Sequence, residues 1–181
     1  MKKEIIEIKK KIIEASFNSK EGHIPSSFSV LDLIFFLFKI NYIFNKKKYL
    51  NNFILSKGHG CLAFYAMLFH TNKISKKIYL SFCSKNSILG GHPDKNKSKY
   101  ITASTGSLGH GLPIISGMAF ADNLSNLKKK YYIILGDQEC LEGTTWETMF
   151  ILNKFNLNNL KILIDRNYSR NEAIPLGNLS E

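Results

Sequence analysis

The chain has 181 residues, 44% of them apolar, and a formal net charge of +11 at pH 7. That length matches a single domain, and that apolar share excludes a wholly disordered polypeptide. The charge invites a polyanion partner, but the cations are nearly all Lys, scattered from Lys2 to Lys161 with only Arg166 and Arg170 beside them, which reads as a solvated basic surface with no nucleic acid and no membrane partner.

Ile5, Ile8, Ile12, Ile13 and Phe17 recur at helical spacing and predict an amphipathic helix over residues 3 to 18. Gly22-His23-Ile24-Pro25 breaks it; Ser29 is the expected cap of a second helix, with Asp32 three residues on and an apolar body from Leu31 to Ile40. A short strand, Phe53-Ile54-Leu55, leads into a Gly58-His59-Gly60 loop and a helix from Cys61, and a further helix is expected over Lys73 to Phe82. The middle of the chain is densest in glycine, at Gly90-Gly91-His92-Pro93 and Thr105-Gly106-Ser107-Leu108-Gly109-His110-Gly111, where backbone can approach a ligand closely. A small-residue helix follows, from about Leu112 to Leu124.

In the last third, Tyr131 to Leu135 reads as a buried strand, Gly136 to Gly143 as a loop, Thr144 to Phe155 as a helix and Leu160 to Ile164 as a second buried strand. This is a βαβ unit, whose crossover makes its strands parallel. Asp137 follows the carboxyl end of the first strand and Asn167 that of the second. Parallel neighbours lie about 4.8 Å apart, so both side chains can reach the crevice where open α/β sheets bind ligands. A carboxylate and an amide oxygen suit a hard cation, Mg²⁺ or Ca²⁺, which takes its remaining ligands from phosphates and water.

Cys61, Cys83 and Cys140 form neither an even set nor a C-x-x-C pair, so a reduced compartment is expected. The N-terminus lacks the continuous apolar core of a signal peptide, and the run from Leu33 to Phe38 is too short to span a bilayer. Both point to a cytoplasmic protein.

Five motifs in order resemble the transketolase family over roughly residues 10 to 170: Ser56-Lys57-Gly58-His59, Gly91-His92-Pro93, Thr105 to Gly111, Gly136-Asp137 with Glu142-Gly143 and Trp146-Glu147, and Asn158-Asn159-Leu160 with Ile164-Asp165-Arg166-Asn167. The resemblance implies an α/β fold with a parallel sheet between helices, residues 1–181 forming a single thiamine-diphosphate-binding domain shortened at its C-terminus. It implies that Asp137, Asn167 and the Ser169 carbonyl hold the metal. Gly106 and Leu108 would meet the aminopyrimidine ring, and Gly136, Asp137, Gln138, His59 and Asn167 would lie around the diphosphate. His23, His59 and His92 would line the channel, and Glu142 would contact the proton-relay glutamate of a partnering domain.

Two positions depart from the family pattern. Gln138 stands where a glycine normally lets backbone N–H approach the diphosphate, and Pro25 replaces a glycine in the first histidine loop. The relay glutamate and most sugar-phosphate arginines belong to a domain outside this region. The expectation is therefore an N-terminal subunit of a split transketolase, a hetero-oligomer whose C-terminal subunit is a separate chain, with sugar phosphates as substrates. Rival readings are a subunit of a deoxyxylulose-phosphate synthase or of a 2-oxo-acid dehydrogenase E1, an eroded noncatalytic scaffold, and a polyanion-binding module.

Overall fold

The structure, a computed structural model, describes residues 2–40, 43–45 and 48–167. Helix α1 (Lys2–Ser19) buries Ile8, Ile12 and Ala15, one stripe at helical spacing. Ile13 and Phe17, expected on that face, are exposed, because one residue past Ile12 turns the helix by about 100° away from the core. Lys20 instead lays its ammonium 4.0 Å from the Phe17 ring centroid.

Helix α2 (Ile24–Lys39) starts five residues earlier than the expected Ser29 cap. His23 caps it, its Nδ1 accepting the Ser26 N–H at 3.2 Å, and Pro25 sits in the first turn, where a missing N–H forfeits no helical bond. Ser29 is thus inside the helix, free to turn its hydroxyl toward the sheet. Two short antiparallel strands, β1 (Phe44–Asn45) and β2 (Lys48–Tyr49), follow; neither is foreshadowed by periodicity at two residues each.

Strand β3 (Phe53–Leu55) leads through a 3₁₀ turn at Gly58–Gly60 into α3 (Cys61–His70), whose first eight residues are all buried. The helix expected over Lys73 to Phe82 is only α4 (Lys76–Leu80), begun by Ser75, whose hydroxyl accepts the Ile78 N–H. Helix α5 (Gly111–Leu124), strand β4 (Tyr131–Gly136), helix α6 (Gly143–Phe155) and strand β5 (Leu160–Asp165) complete the described chain. Between β4 and α6 the expected loop contains a 3₁₀ turn at Asp137–Leu141.

The sheet has the order β3-β4-β5, parallel throughout, with Leu55 paired to Ile134 and Gly136 to Asp165. Alternation decides its two faces. Phe53, Leu55, Tyr132, Ile134 and Leu163 pack with helices α1, α2 and α3, whereas Ile54, Ile133, Leu135 and Ile162 pack with α5 and α6. Strand β4 is buried along its whole length because it is central and covered on both faces. The three cysteines are free thiols. Among the described residues, no helix is long and apolar enough to cross a membrane.

The start of α5 lies directly against the end of β3. A Cβ added at Gly111 would fall 2.6 Å from Ser56 Cβ and collide with its hydroxyl. Gly111→Ala is expected to cost about 1–3 kcal/mol through overpacking, lowering the thermal midpoint by roughly 3–10 °C. Thermal unfolding followed by circular dichroism measures it, and an unchanged midpoint contradicts the close packing.

Candidate functional site

Three loops leave the carboxyl edge of the sheet side by side: Ser56–His59 after β3, Asp137–Leu141 after β4, and Arg166-Asn167 after β5. Because Gly136 pairs with Asp165, Asp137 and Asn167 leave adjacent strand ends at the same edge of the sheet. Both are half-buried. Asp137 Oδ1 accepts the Gln138 N–H at 3.0 Å. Gln138 does not have a positive φ, so the backbone here accepts a side chain where the family pattern has glycine. Ser169 lies outside the described residues. Among those described, no group of three or more His, Cys, Asp and Glu gathers as a metal site, so a cation beside Asp137 would take its other ligands from amide, carbonyl or external oxygens.

The three loop histidines come together. The His23 and His59 rings lie edge to face with centroids 5.4 Å apart, and the field of His92 also reaches His59. Tyr65, fully buried, donates its hydroxyl to the His92 carbonyl at 3.4 Å and so holds that loop. The His59 imidazole is pushed down from 6.5 to about 4, first by desolvation and then by the Lys57 ammonium, with His23 and His92 adding to it and Asp165 opposing. His59 is therefore neutral at pH 7. The unfolded chain protonates at His59 near pH 6.5 and the folded chain only near 4, so stability falls as the pH drops through that window and is unaffected above it. Side-chain NMR titration is expected to place the His59 midpoint below 5; a midpoint near 6.5 contradicts the packing described.

The glycine loop closes over these groups. Thr105 donates its hydroxyl to the Leu55 carbonyl at 2.8 Å, and a Cβ on Gly106 would press on the His92 ring at 3.2 Å. Gly109 has φ +77°, and a Cβ there would meet the Glu142 Cβ at 2.8 Å, so only glycine fits. This close approach sets Glu142, exposed at the N-cap of α6, beside the loop that carries Gly106 and Leu108. Gly106 is exposed and Leu108 half-buried.

Beneath the loops lie buried polar groups that motif reading passes over. Lys57 Nζ sits 2.6 Å from Asp165 Oδ2, with the two side chains only 3% and 8% exposed, and Ser29 donates to Asp165 Oδ1 at 2.7 Å. Glu139, fully buried, accepts bonds from the Ser56 hydroxyl and the Gly109 and Gly136 amides. Lys57 and Asp165 stand inside the family motifs, and their charge in otherwise apolar or glycine-rich surroundings is the available signal. Glu139 has none beyond its place two residues after Asp137. A concavity of about 540 Å³ opens at the opposite, amino end of β3 and β4, lined by Leu50, Asn52, Asp122, Tyr132 and the Leu127–Lys130 turn, and holds none of these residues.

Similarity to known proteins decides the family. Residues 2–172 match the model described as transketolase, thiamine diphosphate binding domain. This chain belongs to the transketolase family. It is 34% identical over 166 residues to one subunit of an apulose-4-phosphate transketolase from Actinobacillus succinogenes, covering 88% of this chain and 60% of that one. A transketolase from Mycoplasma genitalium is 30% identical over 169 residues, covering 86% of this chain and 26% of that one. The structure of a transketolase from Leishmania mexicana superimposes with a TM-score of 0.75 over 90% of this chain and 26% of that one, at 20% identity, a likeness of fold. The chain thus spans at most about 60% of the length of these relatives.

Proposed function

We propose that this transketolase-family chain is the amino-terminal, thiamine-diphosphate-binding subunit of a two-subunit transketolase. Residues 1–181 would form one diphosphate-binding domain. With a carboxy-terminal subunit it would move a two-carbon ketol unit from a ketose phosphate to an aldose phosphate. The observation that carries this reading is that Asp137 and Asn167 leave adjacent strand ends at the sheet edge where the His59 loop also begins, with His23 packed on His59 and Gly106 close to His92.

The residues present fit the cofactor. Asp137 and Asn167 would supply hard oxygen donors for Mg²⁺ or Ca²⁺. Gly136 and Gln138 would lie by the diphosphate, and Gly106 and Leu108 would offer backbone groups to the aminopyrimidine. Bound thiamine diphosphate supplies the electron sink for carbon–carbon cleavage. His59, held neutral, can donate or accept a hydrogen bond at the diphosphate without adding charge, while His23 and His92 bind sugar hydroxyls. With its Nδ1 accepting the Ser26 N–H, His23 presents an Nε2–H donor.

Two relatives whose names make each one subunit of an apulose-4-phosphate transketolase support the partner reading. So do the large apolar side chains exposed on α6, the helix that Glu142 caps: Trp146, Phe150 and Ile151. Glu142 would face the relay glutamate of that partner. The free thiols are in keeping with a cytoplasmic location. The test is to co-purify the chain with a carboxy-terminal transketolase subunit, then measure ketol transfer with thiamine diphosphate and Mg²⁺. Transfer between sugar phosphates is the expected result; turnover of pyruvate instead, or a folded complex without activity, would overturn it.

A further inference from the structure

Glu139 is the only fully buried carboxylate among the described acidic residues, at 0% accessibility, and its bonds reach in three directions. One oxygen takes the Ser56 hydroxyl and the Gly109 amide at 3.1 Å; the other takes the Gly136 amide at 2.9 Å. Its own carbonyl accepts the Thr145 hydroxyl at 2.6 Å, anchoring it to α6. Each residue bonded to the carboxylate borders a different part of the candidate site. Ser56 precedes Lys57-Gly58-His59, Gly109 follows Gly106 to Leu108, and Gly136 precedes Asp137.

We propose that Glu139 is a positioning residue that presets the diphosphate cradle, locking the histidine, glycine and metal loops into one mutual geometry without itself touching the cofactor. The inference rests on the thiamine-diphosphate reading above. Three donors aimed at one buried carboxylate form charge-assisted bonds, stronger than neutral ones, and a group with no accessible surface cannot contact a ligand. Preordering three loops lowers the entropy lost on binding, so the effect is read in affinity. Gln at this position cannot accept on both sides: its NH₂ would face either the Gly136 amide or the Gly109 amide, donor against donor.

The test compares the full chain with its Glu139→Gln and Ser56→Ala variants. Hydrogen exchange on the ligand-free protein is expected to show Gly109 and Gly136 amides losing protection together in Glu139→Gln, while Ile133 and Leu135 in β4 keep theirs. Calorimetry with thiamine diphosphate in excess Mg²⁺ is expected to give at least about tenfold weaker binding in Glu139→Gln and a smaller loss in Ser56→Ala. Exchange that changes in one loop alone, or Glu139→Gln affinity within about twofold of wild type, overturns the proposal. Should Glu139→Gln fail to fold, Ser56→Ala decides: unchanged protection at Gly109 and unchanged affinity overturn it. Absence of cofactor binding by the wild type would defeat the functional reading instead, and the ligand-free exchange experiment still decides the role of Glu139.

Discussion

Asp137→Asn is expected to weaken Mg²⁺-dependent thiamine diphosphate binding by roughly 100-fold or more, since outer partners of a metal ligand already matter by about 10–100-fold. The substitution keeps size and shape and removes only the charge. Asp137 is half-buried and its described bond is local, to the Gln138 N–H, so the fold should be nearly indifferent. A shift within about 0.5 kcal/mol, or roughly 2 °C, is expected in thermal unfolding. Calorimetry on the variant, in Mg²⁺ and then in Ca²⁺, reads the first effect. Binding within about threefold of wild type would remove Asp137 from the metal shell.

Lys57→Met is the expected largest blow to stability. It strands Asp165, whose side chain is 8% exposed, with Ser29 as its described remaining donor. Breaking a buried pair by deleting one partner costs about 3–5 kcal/mol, because a desolvated charge is left without its counterion. For a chain of this size that is roughly 6–20 °C in thermal midpoint. Lys57→Met with Asp165→Leu should recover most of the loss, since no charge then stays buried. The same single variant carries a second signature. The Lys57 ammonium is the second cause holding His59 down, so its removal should move the His59 midpoint upward from about 4. Asp165→Asn removes the opposing charge and should move it further down. A Lys57→Met protein with unchanged midpoint in both melting and His59 titration would contradict the buried pair.

The two variants separate what motifs reveal from what they hide. The positions of Asp137 and Asn167 past neighbouring strand ends are legible because a strand, a crossover helix and a second strand dictate where those ends fall, and the register of β4 on β5 agrees. The glycine loop is legible for a related reason: positive φ at Gly109 demands glycine, and that demand is written in composition. The start of helix α2 is not, because His capping through Nδ1 competes with the commoner Ser cap, and Pro25 looks like a breaker although it suits a first turn. Ser29 then has a different task, bonding a carboxylate on β5. Spacing alone puts Ile13 and Phe17 on the buried face of α1, but which stripe is buried depends on what packs against it.

The sequence alone determined the family, the order of its glycine and histidine loops, the parallel βαβ unit and the placement of Asp137 and Asn167 at its edge, because these follow from short-range patterns and strand polarity. Only the tertiary structure decided that Glu139 ties three loops, that Lys57 neutralises Asp165, and that His59 stays uncharged. The Ser56–Glu139 and Lys57–Asp165 partners are 83 and 108 positions apart. Burial and pairing arise from such distant contacts, so the charge state and role of these groups exist only once the chain has closed around them.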